Sequence, residues 1–321
     1  MVLKDKKLLL VDGSYYAYRS FFAIREMEWG GDMANNAVFG FAHDLRRMLE
    51  RTKPDMACVL WDGGLPERRT SILPGYKQQR DSMPDDLKRQ LPTIREMTDA
   101  MGVRNVRVSG EEADDLVASY TKKAAGMGCE VLIGTNDKDI FQLACEKVAI
   151  YSTAKKHLRE NEAWRLLRGT DVEEVWGVAP DRIVDVLALM GDSSDNIPGI
   201  TGIGPKTAVK LVKAAGNLRA LMEEPQKYAN ERFSALIREG KEALERNLSL
   251  VSLKDDLELP EAVENLKVSP RYGELAEMAK GLGFNSIVRM AERERGDKAL
   301  RMPAGTPIAM ASPKSSQMEL F

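Results

Sequence analysis

Residues 8–13 read Leu-Leu-Leu-Val-Asp-Gly, and this run decides the fold. Four consecutive apolar residues, stopped by an acid and a glycine, suit a strand buried on both faces. Three similar runs follow at 57–61 (ACVLW), 106–109 (VRVS) and 130–134 (EVLIG). Between them lie stretches of helical length. Residues 37–51 carry Val38, Phe41, Leu45 and Leu49 at helical spacing, and 87–101 and 112–125 are similar. Strand–helix alternation of this kind predicts an α/β fold, a parallel sheet with helices on both faces.

From about residue 153 the strand signal fades. Short helices are expected at 163–168, 180–190, 205–214 and 232–250, in a helical region that closes near Glu294. The expected organisation is an α/β core over 1–175, a helical region over 176–294 and a tail over 295–321. Residues 302–316, rich in Pro, Ala, Ser and Gly, are predicted to be disordered. The chain has 321 residues, 43% of them apolar, which is enough for a real core and excludes global disorder or a collagen-like chain. Its three cysteines, Cys58, Cys129 and Cys145, are an odd and scattered set. They fit a reducing cytoplasm better than a disulfide scaffold. No run is long enough for a signal h-region or a membrane span, so no membrane partner is expected.

Three predicted strands end in an aspartate: Asp12, Asp62 and Asp137. In an open parallel sheet the carboxyl ends of the strands share one edge, where ligands bind. Glu112, Asp114 and Asp115 open the helix after 106–109, Asp139 lies two residues beyond Asp137, and Asp192 and Asp195 sit in the loop GDSSDNIPG. Each cluster alone also fits a local role. Ser109 and Glu112 have capping-box spacing, Asp114 and Asp115 suit a helix dipole, Asp137 suits an N-cap and Asp195 a turn. Caps do not explain why so many acids converge on one edge. Crowded carboxylates repel one another unless positive charge sits among them. Hard divalent cations with oxygen ligands answer that need. Neither histidine, His43 or His157, falls near a cluster, which favours Mg²⁺ or Mn²⁺ over zinc. Two such ions would clamp the attacking and leaving oxygens of a phosphodiester.

Two basic features accompany the acids. The loop after Asp62 gathers Arg68, Arg69, Lys77 and Arg80, and Tyr76 adds a flat surface on which a base could stack. The loop also reads as an ordinary solvated segment. Residues 196–222 contain no acid but carry Lys206, Lys210, Lys213 and Arg219. Within them, GITGIGPKTA places Gly199, Gly202 and Gly204 in a tight turn, with Pro205 at the start of the next helix. The pattern fits a packing turn between two helices or a helix–hairpin–helix, in which backbone N–H groups with Lys206 and Lys210 would grip duplex phosphates without reading sequence, and the absence of acids favours the latter.

Together, VDGSYYAYR, YKQQR, GEEADD, TNDKD and LALMGDSSDNIPGITGIGPKTA resemble the bacterial and phage 5′ nucleases. These include the 5′ nuclease domain of bacterial DNA polymerase I and the flap endonucleases. The match runs from about Leu8 to about Ala291. It implies a divalent-metal-dependent 5′ nuclease core with a helical arch at about 66–100, followed by the helix–hairpin–helix region. It further implies that Asp12, Asp62, Glu112, Asp114, Asp115, Asp137, Asp139, Asp192 and Asp195 hold two or more Mg²⁺ or Mn²⁺ ions. Asp62, Lys77 and Arg80 would be catalytic. Lys77 and Arg80 would stand at the base of the arch, with Lys77 polarising the scissile phosphate and Tyr76 stacking nearby. Gly202, Gly204, Lys206 and Lys210 would bind DNA, and backbone carbonyls of Ile200 and Ile203 would hold a K⁺ ion. Glu111, Asn136 and Trp61 depart from the residues common in relatives, but none removes a ligand. No polymerase domain follows, so a free-standing form is expected.

The chain ends Gln317-Met318-Glu319-Leu320-Phe321, similar to the short peptide by which bacterial replication proteins bind the sliding clamp. Leu320 and Phe321 would fill an apolar cleft, with the Gln317 amide at its rim. The expected activity is 5′-flap endonuclease and 5′-3′ exonuclease cleavage in primer removal and repair. The expected enzyme is a cytoplasmic monomer acting on DNA flaps, nicks or ends, RNA-primed ones included. A non-catalytic, clamp-tethered junction-binding protein is the alternative, and a single-strand ribonuclease of related fold a third.

Overall fold

The computed structural model describes residues 2–24 and 34–301, with side chains to 296. The C-terminal motif 317–321 and the stretch 302–316 lie outside the described residues. The first strand, β1 (Lys7–Asp12), ends where the sequence predicts, and Asp12 caps helix α1 (Gly13–Ala23) by accepting the Tyr15 N–H. Gly13 is required there: a Cβ would lie 2.7 Å from the side chains of Val59 and Trp61. The next elements are α2 (Asn36–Thr52) and β2 (Met56–Trp61). Then come α3 (Glu67–Thr70), α4 (Asp85–Ala100) and β3 (Arg104–Arg107). Helix α5 (Ala113–Gly126) leads into β4 (Glu130–Gly134).

The strands form one sheet in the order β3-β2-β1-β4, continued by β5 (Val148–Ser152) and β6 (Arg165–Leu167). All neighbours are parallel except β6, which runs antiparallel to β5. Strand order reverses at β1, so its carboxyl end is the topological switch point of the sheet. Alternate residues of β1 face opposite layers. Leu8 and Leu10 pack with Leu116, Val117 and Tyr120 of α5. On the other layer Phe41 of α2 stacks on Trp61 at 5.7 Å. Leu8 to Val11 are wholly buried, each contributing about 2 kcal/mol of apolar transfer.

The expectation for 163–168 is corrected. Strands β5 and β6 carry no counterpart in the sequence reading, and 163–168, expected as a helix, contains β6. Its residues pair with β5, and neighbouring Trp164 stacks on Tyr151 at 5.4 Å, so tertiary pairing overrides local propensity. Within 66–100, where the arch is expected, 85–100 is α4, in keeping with the helix read from the sequence at 87–101. It packs against α2 and β3 and buries Leu87, Ile94 and Met97. Its Gln90 accepts the Ala37 N–H at 2.8 Å, supplying from another helix the acceptor that the start of α2 lacks.

After α6 (Gly169–Trp176) the helical region begins with α7 (Ile183–Met190), closed by Gly191 at φ +74°. A two-residue ribbon, Gly191–Asp192 with Ile197–Pro198, pinches the acidic loop. Beyond the hairpin follow α8 (Pro205–Ala215), α9 (Leu218–Glu223) and α10 (Pro225–Tyr228). The expected helix 232–250 is two, α11 (Glu231–Glu239) and α12 (Lys241–Val251), split at Gly240, where a Cβ would meet Ile200 at 2.3 Å. Residues 1–271 form one compact unit. The expected division after 175 falls inside it, and one apolar cluster runs from Leu8 and Leu10 through Ile183 and Leu187 to Leu211 and Val212. The second unit carries α13 (Tyr272–Gly281) and α14 (Asn285–Arg301), which pack on each other as a hairpin. No helix among the described residues is long and apolar enough to cross a membrane.

Candidate metal centre and nucleic-acid interface

The ends of β1, β2 and β4 bring Asp12, Asp62 and Asp137 to the switch-point edge. Asp12 accepts the Tyr15 N–H at 2.9 Å and the Thr135 hydroxyl at 3.2 Å. Asp62 accepts the Ala113 N–H at 2.9 Å, which joins the end of β2 to the start of α5 and delivers Asp114. Asp137 accepts the Asp139 N–H at 3.0 Å. Burial first, then Asp62 and Asp137, push the Asp12 carboxyl up to about 7. Asp114 is held well above the carboxylate range by burial and by Asp137, Asp12 and Asp62. Asp12 and Asp114 thus each lie within electrostatic reach of Asp62 and Asp137.

A second group adjoins the first. Asp139, Asp192 and Asp195 each offer an oxygen within 4.8 Å of the others. Burial, then Asp137, Asp192 and Asp195, raise Asp139 well above its ordinary value. Its Oδ1 is buried with no hydrogen-bond partner. All the donors are carboxylate oxygens, which matches hard divalent cations and not a thiolate or imidazole site.

Glu112 and Asp115 sit differently. Glu112 is buried between Arg69 and Lys77. Asp115, expected among the metal ligands, has both oxygens taken. Arg69 grips it through two nitrogens at 2.9 Å, Arg68 reaches it at 2.6 Å, and the Lys254 N–H bonds it at 2.8 Å. It points into an arginine pocket, where it anchors Arg69 beneath Glu112. Tyr76 also departs from expectation. Its ring is 2% exposed and offers no face to a base. Its hydroxyl instead bonds Asp195 at 2.9 Å. Lys77, in the left-handed region at φ 56°, pairs with Glu112 and lies 3.6 Å from Asp195. Burial opposes its charge, but Glu112 and Asp195 outweigh burial and raise its pKa. Arg80 pairs with Asp195 at 2.6 Å.

Several participants were not assigned a role from sequence. Arg69 is 3% exposed and neutralises two acids, yet in the string Glu-Arg-Arg-Thr nothing separates it from its neighbour. Lys138 pairs with Asp192, and the Asp-Lys-Asp spacing was its only signal. Asn247 is fully buried and donates to Ala188 O and Pro198 O, clamping both flanks of the acidic loop. Ser109 does not cap α5; Glu112 occupies the N-cap position without a side-chain cap bond.

The hairpin follows α7. Gly202 adopts φ +88°, the Ile203 N–H bonds Ile200 O at 2.9 Å, and Gly204 precedes Pro205 at the first turn of α8. Gly202, Gly204, Lys206 and Lys210 are exposed on it, and Ile203 is buried.

Residues 7–177 match the family described as 5′-3′ exonuclease, N-terminal resolvase-like domain, and 178–274 match 5′-3′ exonuclease, C-terminal SAM fold. The chain belongs to the 5′-3′ exonuclease family. It is thus a nuclease, and its α/β core and helical region are those of this exonuclease fold. A 5′-3′ exonuclease from Aquifex aeolicus is 33% identical over 90% of this chain and 96% of its own length. DNA polymerase I of Bacillus subtilis is 35% identical over 88% of this chain, which spans only 32% of that polymerase. In fold the exonuclease resembles the bacteriophage T5 flap endonuclease solved with DNA and metal ions, with a TM-score of 0.64 at 20% identity. That match covers 90% of this chain and 97% of the phage protein.

Proposed function

We propose that this exonuclease is a structure-specific enzyme that cuts 5′ flaps and trims 5′ ends, in primer removal and repair. The observation that carries this reading is the convergence of acids from β1, β2, α5, the β4 loop and the 192–195 loop beside Lys77 and Arg80. Asp12, Asp62, Asp114 and Asp137 would hold one divalent cation and Asp139, Asp192 and Asp195 a second, Mg²⁺ or Mn²⁺ in each case. Such ions supply Lewis acidity toward phosphate oxygens and lower the pKa of water. The chain's own residues do the rest. Lys77 and Arg80 offer positive charge to the scissile phosphate from a loop pinned over the acids. Arg69, itself held by Asp115, fixes Glu112 in place beside Lys77. The hairpin at 200–206 grips duplex phosphates through backbone N–H groups, Lys206 and Lys210, and carbonyls of Ile200 and Ile203 are candidates for K⁺.

On this reading 1–175 carries most of the chemistry, 176–294 the duplex grip and 317–321 a sliding-clamp tether. The protein acts as a cytoplasmic monomer, and its free thiols at Cys58, Cys129 and Cys145 suit that compartment. The test is cleavage of a labelled 5′-flap duplex with Mg²⁺ or EDTA, with and without the cognate clamp, for the full chain and a chain ending at Ser316. Mg²⁺-dependent cutting near the junction supports the nuclease. Clamp stimulation that needs the last five residues supports the tether. Tight binding without cutting would replace this reading with that of a junction-binding protein.

A further inference from the structure

Asn136, the residue immediately before Asp137, uses both ends of its amide. Its Nδ2 donates to the Tyr15 hydroxyl at 2.8 Å, and its Oδ1 accepts from the Ser152 hydroxyl. Ser152 is fully buried at the end of β5. Its single proton goes to Asn136, so its oxygen is left to accept. It accepts the Ala154 N–H at 3.2 Å and lies 2.8 Å from His157 Nδ1. His157 Nδ1 must then carry a proton. Burial lowers the His157 pKa, so the ring is the neutral Nδ1–H tautomer. The same ring packs edge-on against Phe141 at 5.2 Å. His157 therefore braces the loop 136–141 from both ends, through Ser152 and Asn136 before Asp137 and through Phe141 after Asp139.

We infer that the Asn136–Ser152–His157 chain is a positioning device. It sets where Asp137 and Asp139 stand relative to Asp12, whose helix it reaches through Tyr15. This rests on the metal-site reading above. The loop has other ties, from Thr135 to Asp12, from the Asp139 N–H to Asp137 and from Gln142 to both Asp139 O and Val251 O. Asn136 adds a side-chain tie that joins the loop to Ser152 of β5 and to Tyr15 of α1 at once. Partners one layer behind a metal ligand typically set affinity by ten- to a hundredfold.

The test measures Mn²⁺ binding to the full chain without DNA, by the electron paramagnetic resonance signal of free Mn²⁺. Asn136→Gly and Ser152→Ala should each weaken binding about tenfold. The double variant should be no worse than either single one, because both break the same chain. Ser152→Thr, which keeps the hydroxyl, should bind more tightly than Ser152→Ala. Duplex affinity in EDTA should not change. A lowered melting temperature with unchanged Mn²⁺ binding in Asn136→Gly would overturn the inference. If the wild-type chain itself bound no Mn²⁺, the metal-site reading would fall, and this inference with it.

Discussion

The Tyr76 hydroxyl donates a 2.9 Å hydrogen bond to Oδ2 of Asp195, 119 residues further along the chain. It is one tooth of a zipper between the basic loop and the acidic loop. The Lys77 N–H bonds Asp195 O at 3.0 Å, Gln79 reaches Ser193 O at 2.7 Å, and Asn196 reaches back to Gly75 O at 2.7 Å. Tyr76→Phe keeps the buried ring and removes the bond. We expect a loss of about 1–2 kcal/mol in denaturant unfolding, with a lower kcat and unchanged duplex affinity. Full kcat would mean that the hydroxyl does not help to place Asp195.

Asp62→Asn keeps an oxygen for the Ala113 N–H and so preserves the start of α5. It removes a charge from the first acidic group. Cleavage should fall by at least about a hundredfold, the scale for loss of one electrostatic partner of a reacting phosphate, while duplex affinity in EDTA holds. Undiminished cleavage would remove Asp62 from the site.

Arg69→Met should be among the most destabilising changes in the core. The guanidinium is buried between Glu112 and Asp115, and its removal strands two buried acids. Breaking such a pair from one side costs about 3–5 kcal/mol, readable as a shift in the urea midpoint at constant slope. Replacing Arg69 and Asp115 together by apolar residues should recover part of the loss.

Lys206→Ala and Lys210→Ala act on binding and not on chemistry. If each lysine meets one phosphate, each variant should lower the slope of log affinity against log salt by about 0.9. Saturating kcat should stay within about twofold, since neither residue touches the acids. A large kcat loss at unchanged slope would contradict the assignment.

The acids predict a pH dependence for metal-free stability. Asp12 sits at about 7 in the folded chain against an ordinary 3.8. Between these values the folded chain keeps a proton that the unfolded chain gives up. The stability it contributes is full below about pH 4 and is lost as pH rises through about 7. In EDTA, the melting temperature should fall between about pH 4 and pH 7 and level off above, and Asp12→Asn should flatten that fall and raise the value at pH 8. Added Mg²⁺ should stabilise most at the alkaline end.

Much of this was legible from residues. Buried runs ending in Asp12 and Asp62 gave the switch-point edge, because a strand buried on both faces needs no alternating pattern. Strand β5 was missed although Val148 to Tyr151 is apolar, because the Pro- and Gly-free segment after it gave no clear stop. Strand β6 is only three residues long, and its assignment depends on a partner that local sequence does not reveal. The carboxylates were legible because acids at strand ends have few structural reasons to converge. Which acid meets a cation was not legible. Asp114 and Asp115 are adjacent on α5, yet the turn of the helix sends Asp115 to Arg69 and Asp114 to the other acids. Tyr76 misled for a similar reason: an aromatic in a basic loop looks exposed until the loop is folded down on Asp195.

The apolar cluster that runs unbroken from β1 to α8 has a consequence for how this gene segment can be inherited. A recombination break near residue 177 would separate Tyr76, Lys77 and Arg80 from Asp195, and Leu8 from the helices it shares a core with. Each product would expose apolar surface and strand charged groups, so a hybrid between distant relatives should fail unless both sides of the break change together. The two halves are then one folding unit, and a hybrid joined near residue 177 should unfold at lower urea than either parent.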